Sequence, residues 1–300
     1  MDMTQNKCCR HGASLRRRRR RRIKILRSII FSCSIIVVAV FVAVGSRMIR
    51  SGDGRTNRYD VEAGNNTYDN AVIENSKISG KNKIQNNQSM LDDIMNSTQY
   101  PKQLKDLALK NEEALEFVYD YPAEHVKEHT IDLTEEASMD SVPLFVQWDK
   151  RWGYEKYSGN FFAASGCGPT TLSMVVVYLT HNREASPIAV AKYSKEAGYS
   201  VDGSGSSWTL ISEGCRHYGV KAKTVALDES RMKAELDAGH PIVINVGPGD
   251  FTDTGHFMVI TGYDDEGFSI NDPNSIEKSG KRWLFKNISS QIRAVWSMYV

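Results

Sequence analysis

Hydrophobic residues are distributed along the chain as one long continuous run and a series of shorter periodic segments. The continuous run, residues 29–44, contains no charged side chain, and small neighbours extend it to residues 28–46. A helix needs about 20 such residues to cross a bilayer, so this run predicts a single transmembrane helix with lipid as its partner. A cleaved signal peptide is the alternative, but the hydrophobic region of a signal peptide spans only about 7–15 residues.

The next two segments differ in their periodicity. Residues 47–100 are rich in Asn, Ser, Gly and Lys, and their apolar residues follow no period, which predicts a flexible linker. Residues 101–139 carry apolar positions at helical spacing, in two stripes that are interrupted near Asn111 and stop at Pro122. Helices this short are not stable alone, so we expect them to pack on the following domain. A pro-segment or a substrate-presenting segment is the alternative.

Residues 140–300 show a third pattern, in which one apolar helix is followed by strands. The helix is predicted to begin near Cys167, with Pro169 in its first turn, and to end near Thr180. After Pro241, short runs of strand-forming residues are bounded by glycines and turn residues. We therefore expect this segment to be the folded domain, with its helix packed on an antiparallel sheet formed mainly after Pro241.

Charge is distributed unevenly, although the net charge is only +2. Eleven basic residues and one acid precede Ser28, so residues 1–27 form a basic tail and the remainder of the chain is acidic. By the positive-inside rule, the tail is cytoplasmic and everything after Arg47 is extracellular. The acidic remainder excludes nucleic acid as a partner of the folded part, since phosphate binding requires a basic surface.

The five cysteines are too few and too scattered for a disulfide framework or a thiolate metal cage. Three of them, Cys8, Cys9 and Cys33, belong to the tail and the apolar run, which leaves Cys167 and Cys215 for the folded domain. Cys215 lies among apolar residues at helical spacing and is predicted to be a core residue. We expect no metal and no other cofactor.

Cys167 is predicted to lie at the N-terminus of a helix. The positive end of the helix dipole and the free backbone N–H groups at that position favour a thiolate over a thiol. Gly166 and Gly168 flank the cysteine, and small residues there would let a substrate backbone approach. A buried, inert cysteine at a helix start is the alternative for this pattern alone.

His256 and Asp272 complete a possible catalytic set. His256 begins one predicted strand, and Asp272 ends the next strand along the chain. If those strands are antiparallel neighbours, the two side chains lie at the same end of the sheet, where the carboxylate could orient the imidazole. Asn271 and Asn274 compete with Asp272 for that role, and an ordinary loop histidine with an Asx turn is the non-catalytic alternative. Together the residues supply a nucleophile, a base and an orienting acid in the order Cys, His, Asp.

Five short motifs carry a resemblance to a known family. They are Gln147-Trp148-Asp149-x-Arg151-Trp152-Gly153, Ala164-Ser165-Gly166-Cys167-Gly168-Pro169-Thr170, Gly205-Ser206-Ser207-Trp208, Gly255-His256-Phe257 and Asn271-Asp272-Pro273. With them, residues 142–300 resemble the C39-like cysteine peptidases, relatives of the bacteriocin-processing double-glycine peptidases. The resemblance implies an α+β, papain-like fold with Cys167 as nucleophile, His256 as general base and Asp272 as its partner. It also implies that the Gln147 amide stabilises the oxyanion together with the Cys167 backbone N–H.

The sequence thus predicts a membrane-anchored, extracellular and monomeric cysteine peptidase acting on peptides or proteins. We expect the substrate to contact residues around the cleft, namely Gly166, Gly168, Ser207, Trp208 and Gly255. The chain contains no G-x-x-x-x-G-K-[ST] motif, so it does not resemble a bacteriocin exporter. A cell-wall amidase or transpeptidase with the same triad is the rival among enzymes, and a catalytically silent peptide-binding module is the rival of another class.

Overall fold

The computed structural model describes residues 83–300. The predicted basic tail, the predicted transmembrane helix and the first part of the predicted linker lie outside these residues. Within residues 83–300, no helix combines the length and the hydropathy needed to cross a bilayer.

The last part of the predicted linker is helical. Residues 83–96 form helix α1, so the prediction of a flexible linker is wrong for this stretch. Ile94 is fully buried, and Met90 and Leu91 pack against the same hydrophobic cluster. These three residues share one face of the helix, and their burial stabilises a segment whose polar composition alone does not predict a helix.

Two short helical stretches follow, interrupted at Asn111 as the sequence predicts. They comprise α2 (Lys102–Lys110), a 3₁₀ turn (Glu112–Ala114), α3 (Leu115–Tyr119) and α4 (Tyr121–Glu124). Asn111 adopts an extended backbone that ends α2, and its side chain accepts the N–H of Glu113 to start the 3₁₀ turn. Pro122 was predicted to stop the second helix, but it lies in the first turn of α4, where its missing N–H costs little.

The remaining residues form a helical half followed by a sheet. The helical half contains a 3₁₀ turn (Glu136–Ser138), β1 (Lys156–Tyr157), β2 (Asn160–Phe161), α5 (Phe162–Ser165), α6 (Cys167–Thr180), α7 (Pro187–Glu196), β3 (Ser200–Val201), β4 (Gly205–Ser206), α8 (Thr209–Ser212) and a 3₁₀ turn (Gly214–Tyr218). The sheet half contains β5 (Lys221–Thr224), α9 (Glu229–Asp237), β6 (Ile242–Val246), β7 (His256–Asp264), β8 (Gly267–Asn271), α10 (Ile276–Ser279), β9 (Arg282–Trp283), α11 (Phe285–Ile288), a 3₁₀ turn (Ser289–Gln291) and β10 (Ile292–Tyr299).

The main sheet has six strands in the order β5-β10-β6-β7-β8-β9, and every neighbouring pair is antiparallel. Only β5 precedes Pro241, so the prediction of an antiparallel sheet formed mainly after that residue is confirmed. All five residues of β6 are buried, because helices cover both faces of the sheet at this strand.

Helix α6 is the central element of the core. Ten consecutive residues, Gly168 to Val177, are buried, as expected for a helix that is apolar on nearly every face. Leu172 and Val176 share a cluster with Val259 of β7, on one face of the sheet. The opposite face carries a second cluster, which includes residues of α9 and α11. The predicted arrangement of a Cys-bearing helix on a sheet is confirmed, and it holds the first residue of α6 near the starting edge of β7.

Candidate active site

Cys167 is the first residue of α6 and is half-buried. Burial alone would raise the pKa of its thiol, but a hydrogen bond from His256 and the charge of that imidazole outweigh this effect. The backbone N–H groups of Phe257 and Gly168 also favour the charged sulfur, and the net pKa of Cys167 is lowered. The thiolate is therefore favoured at this position, as the location at a helix start predicts.

His256 and Asp272 form a buried hydrogen-bonded pair. His256 begins β7 and Asp272 directly follows β8, and the antiparallel register of these strands brings both to the same end of the sheet. The His256 Nε2 atom lies 2.7 Å from Asp272 Oδ1, and the Asp272 side chain is almost completely inaccessible to solvent. Because Asp272 engages Nε2, the Nδ1 atom is the ring nitrogen left for Cys167.

Asn271 and Asn274, the alternatives to Asp272 as the residue that orients His256, have other partners. The Asn271 amide donates to the carbonyl oxygens of Val142 and Pro143. The Asn274 backbone N–H donates to Asp272 Oδ1 at 2.8 Å, so this residue supports the carboxylate. Asp272 is thus the side chain that meets the imidazole.

The electrostatics of the pair favour an imidazolium next to a thiolate. Burial alone would lower the pKa of His256, but the negative charge and the hydrogen bond of Asp272, together with Cys167, raise it to about 10. With the histidine pKa raised and the cysteine pKa lowered, the ion pair persists between the two values. A positioned thiolate with a proton donor beside it is the arrangement required for acyl transfer.

Gln147 lies buried beside these residues and borders the same cavity as Cys167 and His256. Its Nε2 atom donates to the Ala163 carbonyl at 2.7 Å, and its Oε1 atom has no partner among the described residues. A side-chain amide carries two N–H donors, so one remains for a ligand in the cavity.

Two cavities meet at Cys167. The first, about 660 Å³, is bounded by His256, Gln147, the 249–255 loop and helix α2, and we term it the His-side cavity. The second, about 630 Å³, is bounded by Ser206, Trp208 and Arg293, and we term it the Trp-side cavity. A peptide lying across both cavities would pass directly over the sulfur.

Comparison with known proteins identifies the family. Residues 139–300, just over half of the chain, match the model of the Peptidase_C39 like family. The chain belongs to the C39-like peptidases. It is therefore a cysteine-type peptidase with the antiparallel-sheet fold of that family.

Two solved structures are similar to this C39-like peptidase at low identity. The peptidase domain of Streptococcus ComA, described as a bifunctional ABC transporter involved in a quorum-sensing pathway, is 18% identical over 45% of this chain and 90% of that chain, with a TM-score of 0.37. A putative C39-like peptidase from Bacillus anthracis is 17% identical over 53% of this chain and 95% of that chain, with a TM-score of 0.34. No curated protein sequence matches the chain.

The residues expected to contact substrate in this C39-like peptidase fall into two groups. Gly255 borders both cavities, and Trp208 borders the Trp-side cavity with 47% of its surface exposed. Gly166, Gly168 and Ser207 border neither. The Ser207 hydroxyl instead bonds Thr209 at the start of α8.

Packing explains the two glycines that flank the cysteine. A Cβ atom on Gly166 would lie 2.6 Å from the Phe162 ring, and one on Gly168 would lie 2.5 Å from Ser206 Oγ. The close approach of neighbouring side chains to the start of α6 is therefore one reason for glycine at both positions, and the approach of a substrate backbone stays a prediction.

Replacing Gly168 by alanine should destabilise the fold by about 1–3 kcal/mol, because the added methyl group overlaps Ser206. Alanine is intrinsically the better helix former, so a loss of stability would identify the clash as dominant. Equilibrium unfolding in denaturant measures the effect. The same change in a Ser206→Gly background should cost much less, and an equal cost in both backgrounds would exclude this contact as the cause.

Several residues of the site have no local sequence signal. Lys110 and Asn111 border the His-side cavity although they lie in the helical segment before the matched region. Arg293 reaches the Trp-side cavity from β10, far along the chain from Cys167. Only the tertiary fold brings these residues to the cleft. Among residues 83–300, no group of three or more His, Cys, Asp or Glu side chains is arranged to hold a metal ion.

Proposed function

We propose that this C39-like peptidase hydrolyses peptide bonds through a Cys167–His256–Asp272 triad, with Gln147 stabilising the oxyanion. The observation that carries the proposal is the buried His256–Asp272 pair beside a thiol whose pKa is lowered at a helix start. The sequence supports an anchor at residues 28–46, so we further propose that the enzyme acts outside the cell.

The proposed reaction begins with attack of the Cys167 thiolate on the carbonyl carbon of the scissile bond. The oxyanion receives hydrogen bonds from the Gln147 amide and the Cys167 backbone N–H, which lies in the first turn of α6 and has no intrahelical partner. The C–N bond then breaks as His256 Nδ1 donates its proton to the leaving amine. This step releases the first product and leaves a thioester on the sulfur.

Hydrolysis of the thioester regenerates the enzyme. The neutral imidazole of His256 takes a proton from water, and the resulting hydroxide adds to the thioester carbonyl. Collapse of this intermediate breaks the C–S bond, releases the carboxylic acid and restores the thiolate–imidazolium pair. Asp272 keeps Nε2 engaged throughout, so Nδ1 faces the reacting atoms in both halves of the reaction.

A substrate-profiling experiment tests the proposed function. The full chain is incubated separately with a peptide library and with cell-wall fragments, and products are identified by mass spectrometry beside a Cys167→Ala control. New amino termini in the peptide library, absent with the control, are the expected result. Products from wall fragments alone would support the amidase instead, and no products from either source would contradict hydrolysis.

Replacing Gln147 by alanine should lower kcat by about 10²–10³-fold with little change in KM, as expected for the loss of one oxyanion donor. Gln147→Glu removes the same donors in a side chain of equal size, so it should be at least as damaging. Steady-state kinetics on a cleaved peptide measure both variants. Gln99→Ala, at an exposed position, provides the control. A Gln147→Ala enzyme with wild-type kcat would exclude Gln147 from the oxyanion site.

A further inference from the structure

The loop after the proposed triad acid is attached to a part of the chain outside the matched family region. Asp272 is followed by residues 273–277, which connect β8 to the first residues of α10. Two residues just after α2 bond directly to this loop: Asn111, which ends the helix, and Glu113, which lies in the following 3₁₀ turn. Both precede residue 139, where the family match begins.

Asn111 holds the loop through its amide nitrogen. The Nδ2 atom donates to the Asn274 carbonyl at 2.8 Å and to Asn274 Oδ1 at 3.1 Å. The Asn111 oxygen has a separate role, since it accepts the Glu113 N–H at 3.0 Å and starts the 3₁₀ turn. The donor and acceptor functions of this single side chain therefore act on different parts of the molecule.

Glu113 holds the next part of the same loop. Its carboxylate accepts the backbone N–H groups of Ile276 at 2.7 Å and Glu277 at 3.0 Å. It also accepts the Ser275 hydroxyl. Hydrogen bonds to a carboxylate are among the stronger ones in proteins, and these connect two segments about 160 residues apart.

The held loop in turn orients Asp272. The Asn274 N–H donates to Asp272 Oδ1, the same oxygen atom that receives His256 Nε2. The other carboxylate oxygen is buried and has no partner among the described residues, so it does not fix the side chain. The domain itself adds two bonds to the loop, from the Trp148 indole N–H to the Asn274 carbonyl at 3.2 Å and from the Gln147 backbone N–H to the Pro273 carbonyl at 2.7 Å.

We propose that Asn111 and Glu113 are positioning residues for catalysis, which hold the 273–277 loop so that Asp272 stays engaged with His256. The proposal rests on the proposed function, because it assigns a role relative to that triad. Neither residue touches the sulfur or the imidazole. The turn from Asn111 to Glu113 thus supports the active site from outside the region matched to the family.

Asn111→Asp separates the two roles of Asn111. The variant keeps an oxygen for the Glu113 N–H, but it loses the donors to Asn274 and sets a negative charge against its carbonyl. Glu113→Gln keeps the size of the side chain and removes the charge that binds Ile276 and Glu277. Lys102→Ala is the matched control, since Lys102 lies on the same helix with an 84% exposed side chain and an ion pair to Asp106.

The experiment measures the alkylation rate of Cys167 by iodoacetamide as a function of pH in the full chain, together with kcat and KM on a cleaved peptide and the thermal midpoint. A loosened Asp272 stabilises the imidazolium less, so the thiolate is also less favoured. We expect both loop variants to shift the acid limb of the alkylation profile, where the thiolate becomes protonated, to a midpoint about one pH unit higher. Below that midpoint, the alkylation rate should be about tenfold lower than in the wild type. The kcat should fall about tenfold with KM little changed, and Lys102→Ala should match the wild type.

The outcomes separate the two proposals. The positioning role would be overturned if both loop variants had the same acid limb and the same kcat as Lys102→Ala. A lowered thermal midpoint with an unchanged acid limb would also overturn it, because that result describes a purely structural contact. If instead the wild-type chain cleaves nothing while the loop variants still shift the acid limb, the positioning of Asp272 stands and the proposed hydrolysis fails.

Discussion

Replacing Cys167 by alanine is expected to abolish hydrolysis, with kcat/KM falling at least about 10⁴-fold, the scale seen when a triad nucleophile is removed. Alanine has no group that can form the thioester, so no alternative route through the same residues exists. Because Cys167 is the first residue of α6 and half-buried, the fold should be retained. Activity on a cleaved peptide and the thermal midpoint, measured on the same preparation, check both parts of the prediction.

Cys215 provides the matched control, since it is the other cysteine among residues 83–300. It is fully buried in the core, and burial raises the pKa of its thiol to about 11. Cys215→Ala should therefore leave kcat/KM near that of the wild type and lower stability by about 1 kcal/mol through the lost sulfur contacts. Loss of activity in the folded Cys215 variant, or its retention in the Cys167 variant, would contradict the assignment of the nucleophile.

Asp272→Asn should lower kcat by on the order of 10²–10⁴-fold while leaving the backbone in place. The asparagine has the same shape, but it lacks the charge that raises the pKa of His256. The alkaline limb of the kcat/KM profile reports loss of the imidazolium, so it should move to lower pH. The acid limb reports protonation of the thiolate and should move to higher pH, so the active range narrows from both sides.

The same pair should also affect stability in a defined pH range. The folded-state pKa of His256 is raised, so its contribution is fully present below the unfolded value, about 6.5, and is lost as pH rises toward about 10. Asp272→Asn should weaken this dependence, because only the contribution of Cys167 to the raised pKa of His256 then remains. Asp264→Asn is the control, because Asp264 pairs with Arg282 at an exposed end of the same sheet. Asp264→Asn also serves as the control for kcat. If it lowered kcat as much as Asp272→Asn does, the assignment of Asp272 as the partner of His256 in catalysis would be contradicted.

The sequence predicted the centre of the site because each element there has a local signal. Pro169 and the apolar run after Cys167 define a helix start, and that helix begins at Cys167. His256 and Asp272 could be paired from strand order, because antiparallel neighbours return the chain to the same edge of the sheet. Strand order alone left Asn271 as an alternative to Asp272; the family resemblance implied Asp272, and in the structure Asp272 is the residue bonded to His256.

The rest of the site depends on contacts between distant segments. The composition of residues 83–96 suggests a linker, and only the burial of Ile94 in a cluster with α2 and α3 makes a helix favourable there. Asn111 could be identified as a helix break, but its bonds to Asn274 span 163 positions and leave no pattern in the sequence. The packing role of the glycines beside Cys167 could not be predicted either, because a neighbour such as Ser206 is visible only in three dimensions.

The central claim is that His256 holds Cys167 as a reactive thiolate, and the pH dependence of Cys167 alkylation tests it most directly. The experiment compares the wild type with His256→Ala in a Cys215→Ala background, with labelling at Cys167 verified by peptide mass. We predict that the wild-type acid limb lies well below the ordinary thiol pKa of about 8.5 and that it moves up to that value or beyond in His256→Ala. A wild-type limb near 8.5 that His256→Ala leaves unchanged would contradict the account.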